Sequence, residues 1–130
     1  MSIEAVSLVV RLILAAAFVA MGVLHFVPSA ARGMAAIIPP PLRGSDPRTP
    51  RRLVALTGVC EVAGGVGLLV PPFQTLAGIL LAVFLVAVFP ANAFAARHPE
   101  RFGRLAIPFW PRLIGQAVLI ALCLGAAVRF

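Results

Sequence analysis

Residues 57–65, TGVCEVAGG, place one carboxylate, Glu61, inside an otherwise apolar run. A carboxylate in that setting can hold a proton, accept hydrogen bonds or balance a cation. Left alone at the centre of a bilayer it costs about 2.5–3.5 kcal/mol or more. Four further polar side chains interrupt or flank the other apolar runs: His25, Asn92, Arg112 and Gln116. An imidazole, a carboxamide pair and a guanidinium gathered around a carboxylate can bind and orient a polar head group and exchange a proton with it. They do not make a metal site, because no convincing set of zinc or haem ligands can be assembled. No phosphate-binding loop, dinucleotide fingerprint or serine-nucleophile motif is present either.

The elements that must carry these residues follow from composition. The chain has 130 residues, 62% of them hydrophobic, with a mean hydropathy of +1.07. A soluble chain of this length could not hide so much apolar surface in one core. Lipid is therefore the expected solvent. A membrane-spanning helix needs roughly 20 mostly apolar residues. Four such spans are predicted, at about 5–27, 52–70, 75–96 and 108–128, in a single integral membrane domain over residues 1–130. The fold class is all-α: a four-transmembrane-helix bundle. Between the first two spans, SAARGMAAII, stopped by Pro39-Pro40-Pro41, predicts a short interfacial helix that starts at Ser29. Gly44-Ser45-Asp46-Pro47 predicts a turn, and Pro90 a bend late in span three.

Periodicity decides which faces turn inward. Around Glu61, positions three and four residues away are Thr57, Gly58, Gly64 and Gly65. That small face permits close helix approach, so lipid should meet Val59, Val62, Val66 and Leu69. Comparable stripes are Arg11, Ala15, Phe18, Gly22 and His25 in span one, and Gly78, Ala82, Leu85, Phe89 and Asn92 in span three. Span four carries Arg112, Gln116, Leu119 and Cys123. Glu61 lies roughly 13 Å in from the start of span two. One polar chamber, open at the arginine-rich end, is expected to collect His25, Glu61, Asn92, Arg112 and Gln116. Arg112 is its natural charge partner, while Arg11 approaches from the far side. The plain alternative is that these side chains are interhelical ties, worth about 0.6 kcal/mol each on average.

The net charge of +7 comes from 11 basic residues, all arginine. They cluster between apolar runs rather than among exposed aromatics, which argues against nucleic acid and for loops facing anionic lipid. Arg32, Arg43, Arg48, Arg51, Arg52, Arg97, Arg101, Arg104 and Arg112 fall on one side of a four-span topology. Both termini are therefore expected outside the cytoplasm. The opening MSIEAVSLVV carries Glu4 and no early positive charge, so span one reads as a retained helix rather than a signal peptide. Cys60 and Cys123 lie within spans at depths about 9 Å apart, too far for a disulfide. His98, in the loop RHPERFGRLAI, reads as solvated.

GVLHF, AAIIPPPL, TGVCEVAGGVGLLVP, FPANAF and RLIGQ, in that order, resemble the DoxX family of small four-helix membrane proteins over nearly the whole chain. The resemblance implies that Glu61 corresponds to the glutamate of the family's second helix. It implies likewise that His25, Asn92, Arg112 and Gln116 correspond to polar positions of the other helices. It also implies a link to quinone-dependent sulfur oxidation or membrane oxidoreductase complexes, with distant relatives acting as assembly partners. This chain departs from autonomous thiol chemistry in lacking a paired-cysteine motif, and it has no residues for a redox metal of its own.

The expectation is a multi-pass protein of a bacterial inner membrane holding a lipophilic molecule with a polar head. A quinone or a lipid fits, with no covalently bound cofactor. If the chain is enzymatic, it is a subunit of a quinone-linked oxidoreductase. The alternative is an accessory or chaperone subunit without a small ligand, docked on a membrane protein partner or on copies of itself. Proton-coupled transport is the weakest reading, since four helices leave little room for alternating access.

Overall fold

The computed structural model describes residues 1–98, 100 and 108–129. Those residues are all-helical, with no strand among them. Helix α1 (Ile3–Leu24) is followed by two short helices, α2 (Pro28–Ala36) and α3 (Pro40–Arg43). Helix α4 (Thr49–Gly67) leads through a 3-10 turn (Pro71–Phe73) into α5 (Gln74–Arg97), and α6 spans Phe109–Ala127. Arg101, Arg104 and most of the loop RHPERFGRLAI lie outside the described residues.

Local chemistry sets the boundaries. Ser2 caps α1, its Oγ accepting the Ala5 N–H at 3.1 Å, which satisfies one orphan donor of the first turn. The helix stops at Leu24, short of Pro28, whose ring disfavours helical geometry in the residue before it. Apolar character runs on to Val27, so the expected span overshoots the helix. Span two is displaced the other way. Pro50 sits in the first turn of α4, where a missing N–H costs nothing, so the helix begins at Thr49, before the arginine pair. It ends at Gly67 because Pro71 and Pro72 follow closely. The interfacial segment is two helices rather than one, and the first begins at Pro28, capped by Val27 without a side-chain bond, not at Ser29. Arg43 ties it off, donating from Nε to Ile38 O at 3.0 Å and from Nη2 to Ala35 O and Ala36 O at 2.9 and 3.0 Å. Gly44 makes the following turn at φ +67°.

The long helices pack α1 on α4, α4 on α5, α5 on α6 and α6 on α1, and α2 and α3 lie against α4. The seams are antiparallel and lined by small residues. Gly22 faces Gly58, and Ala15 faces Gly65; Gly64 and Gly67 face Leu81 and Ala77; Gly78 faces Cys123 and Ala127. The interior holds Leu14, Phe18, Leu68, Leu81, Leu85 and Cys123. The outer surface is apolar: Ile13, Val59, Val83, Val86 and Ile114 are all more than half exposed. Such a belt fits acyl chains rather than water. Val62 is a correction to the expected lipid face. Its side chain packs on Gly22 in the α1–α4 seam, because α1 crosses α4 there. Leu119, expected inside, is 37% exposed.

Among the described residues, three helical stretches are long and apolar enough to cross a membrane: Ile3–Leu24, Pro71–Arg97 and Phe109–Ala127. Helix α4 is not among them. It carries Arg51, Arg52 and Glu61 within 19 residues.

Candidate functional site

Glycine contacts bring the central pair together. In α1, His25 follows Gly22 by three residues; in α4, Glu61 follows Gly58 by three. With no Cβ at either glycine the two backbones touch, and a Cβ added at Gly58 would stand 2.6 Å from His25 Cβ. His25 is therefore level with Gly58 and Glu61 close to the level of Gly22, and because helical side chains lean toward their own N-terminus the two reach toward each other. His25 Nδ1 lies 3.5 Å from Glu61 Oε2, and both side chains are nearly nine-tenths buried.

The proton on His25 can be placed from its neighbours. His25 Nδ1 is 2.7 Å from Met21 O. A carbonyl can only accept, so Nδ1 carries a hydrogen and donates it there. With that hydrogen given to Met21 O, Glu61 Oε2 is buried and has no hydrogen-bond partner. An unmet acceptor in an apolar interior costs on the order of 1–3 kcal/mol, more when charged. Glu61 Oε2 is thus a vacant hydrogen-bonding position beside an imidazole. It can accept from a hydroxyl, or donate to a carbonyl when the carboxyl is protonated. Among the described residues, the basic side chain within 4 Å of Glu61 is His25, not Arg112.

The other three residues sit in two further contacts. Arg112 Nη1 donates to Asn92 Oδ1 at 3.0 Å, joining α6 to α5. Gln116 Nε2 donates to Leu85 O, one residue before Val86, the carbonyl that Pro90 cannot serve because it lacks an N–H. Gln116 is buried; Asn92 and Arg112 are half-buried. Register separates the levels. Along the α4–α5 seam Gly64 meets Leu81 and Gly67 meets Ala77. Extending that register puts Glu61 level with residues 84–85, hence with the Gln116–Leu85 contact. Asn92 lies about 11 Å and Arg112 about 6 Å nearer the arginine-rich end. Among the described residues, the His25–Glu61, Gln116–Leu85 and Asn92–Arg112 contacts are spread along the helices rather than gathered into one shared cluster.

Several positions had no sequence signal. Met21 acts through its backbone carbonyl. Gln74 Nε2 ties the start of α5 to the end of α6, donating to Ala126 O and Val128 O at 2.9 and 3.0 Å, while Thr75 Oγ1 donates to Ala127 O at 2.7 Å. Arg11 reaches Leu68 O at the end of α4, at 3.3 Å, and not Glu61. His98 is half-buried rather than solvated, its ring on Phe94 and its Nδ1 2.8 Å from Phe94 O. Cys60 is exposed and Cys123 buried, both free. Among the described residues no group of three or more metal-ligating side chains occurs.

No curated protein and no solved structure matches the chain. Residues 14–127 match a family described as a domain of unknown function, DUF8561. The matched stretch runs from the middle of α1 to the end of α6 and contains all five polar residues. The chain therefore belongs to the DUF8561 family.

Proposed function

We propose that this chain is a four-helix integral protein of a bacterial inner membrane that binds a lipophilic molecule with a polar head, quinone- or lipid-like, between α1 and α4. The observation that carries the reading is the buried Glu61 oxygen without a hydrogen-bond partner, 3.5 Å from the His25 imidazole. A bilayer offers few hydroxyl or carbonyl groups at that depth other than those of lipids and quinones. Glu61 exchanges a hydrogen bond or proton with the head group, and His25 holds the carboxylate's charge in check. Gln116 and the Asn92–Arg112 pair shape the entrance from the arginine-rich side. Helix α4 serves as the fourth span, its charged start at the interface and its Glu61 face covered by α1. Both termini then lie outside the cytoplasm. Support comes from the placement of Arg32, Arg43, Arg48, Arg51, Arg52, Arg97 and Arg112 at one end of the helices and from the charge rule for cytoplasmic loops. The DoxX resemblance supports a link to a membrane redox system.

The test is retention. Purify the wild-type chain and Glu61→Gln from quinone-containing membranes, extract with organic solvent, and quantify quinone and lipid per protein. Loss of one charge-capable hydrogen bond worth about 1.5–3 kcal/mol predicts at least tenfold less of the retained molecule in the variant. Equal retention contradicts the reading.

A second reading, an accessory subunit without a small ligand, has its own observation. Gly115 and Gly125 on α6 look onto open space, with nothing within 4 Å of a Cβ built on either. Small residues on an outer helix surface allow another helix to approach closely. Here the Gln116 and Asn92–Arg112 contacts are interhelical ties only. Co-purification of a stoichiometric membrane protein, lost on Gly115→Leu or Gly125→Leu with Glu61 intact, favours this second reading.

A further inference from the structure

The opposite end of the molecule holds a separate cluster that the proposed Glu61 site does not use. Arg11 lies 14 residues before His25 on α1, about 21 Å along the helix. Extending the Ala15–Gly65 register puts Arg11 level with the end of α4. There Nη1 reaches Leu68 O at 3.3 Å, but Nε is buried and has no hydrogen-bond partner. Arg11 borders a cleft of about 130 Å³ that is also lined by Glu4, Ser7, Gln74 and Arg129. The Gln74 amide is already committed to the end of α6. Two arginines and one glutamate line it, and among the described residues no ion pair joins Glu4 to either arginine. The cleft lining is left with a net positive charge, and one of its arginines has an unmet buried donor.

Ser7 also lines a second hollow of about 220 Å³, an apolar groove between α1 and α6 bordered by Val6, Val10, Ala121, Leu122 and Gly125. The two hollows share Ser7, so a cationic cleft adjoins an apolar groove along the α1–α6 seam. One class of molecule matches both halves: a phosphate, which takes paired donors from arginine, carrying an acyl chain.

We propose that this end of the molecule binds one anionic phospholipid, its phosphate on Arg11 and Arg129 and an acyl chain along the α1–α6 groove. Charge complementarity selects the occupant, and the adjacency of cleft and groove sets its orientation. Glu4 limits affinity by repelling the phosphate.

The test uses the full chain in neutral detergent, titrated with phosphatidylglycerol and read by native mass spectrometry as lipid bound per protein. Arg129→Gln, at an exposed position, should weaken binding roughly tenfold, the value of one charge-assisted hydrogen bond. Arg11→Gln should do the same, and Glu4→Gln should strengthen binding. Gly125→Leu projects into open space, so it should leave the fold intact yet weaken lipid by filling the groove. Phosphatidylcholine should bind at least tenfold more weakly than phosphatidylglycerol. Binding unaffected by Arg129→Gln and Gly125→Leu overturns the proposal. So does displacement of the lipid by millimolar inorganic phosphate, which would make the cleft a site for the free anion.

Discussion

Gly58 is a position at which the α1–α4 seam leaves no room for a side chain. A Cβ there would stand 2.6 Å from His25 Cβ, 3.0 Å from Gly22 O and 3.0 Å from Phe26 Cε2. The first two atoms belong to, or are rooted directly on, the backbone of α1, so no rotamer change relieves them. Ordinary carbon contact is about 3.5–4.0 Å, so Gly58→Ala must push α1 away by roughly 1 Å. Overpacking of this kind costs about 1–3 kcal/mol, and two unyielding contacts put Gly58 near the upper end. Alanine recovers about 1 kcal/mol of helix propensity, leaving a net loss of about 2 kcal/mol. Gly115→Ala meets nothing within 4 Å and keeps the propensity gain. The two substitutions, chemically identical, should therefore differ by about 3 kcal/mol. Reversible unfolding titrated with SDS in mixed micelles measures that difference. The same displacement widens the 3.5 Å His25–Glu61 separation, so Gly58→Ala should also lose the molecule retained at Glu61. Equal stability of the two variants would refute the close crossing and the placement of His25 beside Glu61.

Two further predictions concern other parts of the chain. Arg43→Ala removes the hydrogen bonds to Ile38 O, Ala35 O and Ala36 O; amide exchange in residues 35–43 should then accelerate at least tenfold while α5 and α6 are unaffected, since a charged donor is worth about 1.5–3 kcal/mol. Cys60 is exposed on α4 and Cys123 is fully buried, so a membrane-permeant maleimide should label Cys60 in the folded protein and Cys123 only after unfolding.

The helices were readable because apolar runs of spanning length leave few other structures. Their ends were less so. Hydropathy marks the zone of lipid, while prolines mark where helix can start or stop, and the two differ by three residues at Val27 and at Thr49. The burial of Glu61 was legible from Gly58, Gly64 and Gly65 around it. Its neighbour was not. Pairing a residue on one helix with a residue on another needs the vertical register, which periodicity within a single helix does not contain. Arg112 has the right charge for Glu61 but enters α6 in its first turn, where its side chain reaches Asn92. Val62 carried the opposite lesson: an apolar residue beside a glycine seam looked suited to lipid, and a crossing helix took it. Arg43 read as one more loop charge, and its use as a cap depends on the chain folding back through Pro39-Pro40-Pro41.

The central claim is that Glu61 Oε2 is an unfilled hydrogen-bonding position inside the helices, beside His25, awaiting the polar head of a lipophilic molecule. Crystals grown from a lipid phase, with protein purified from quinone-containing membranes, test it most directly. The account predicts non-protein density between α1 and α4 within about 3 Å of the Glu61 carboxylate, absent in Glu61→Gln. A carboxylate turned toward the surrounding acyl chains, or one fully bonded to protein groups with nothing bound, would contradict it.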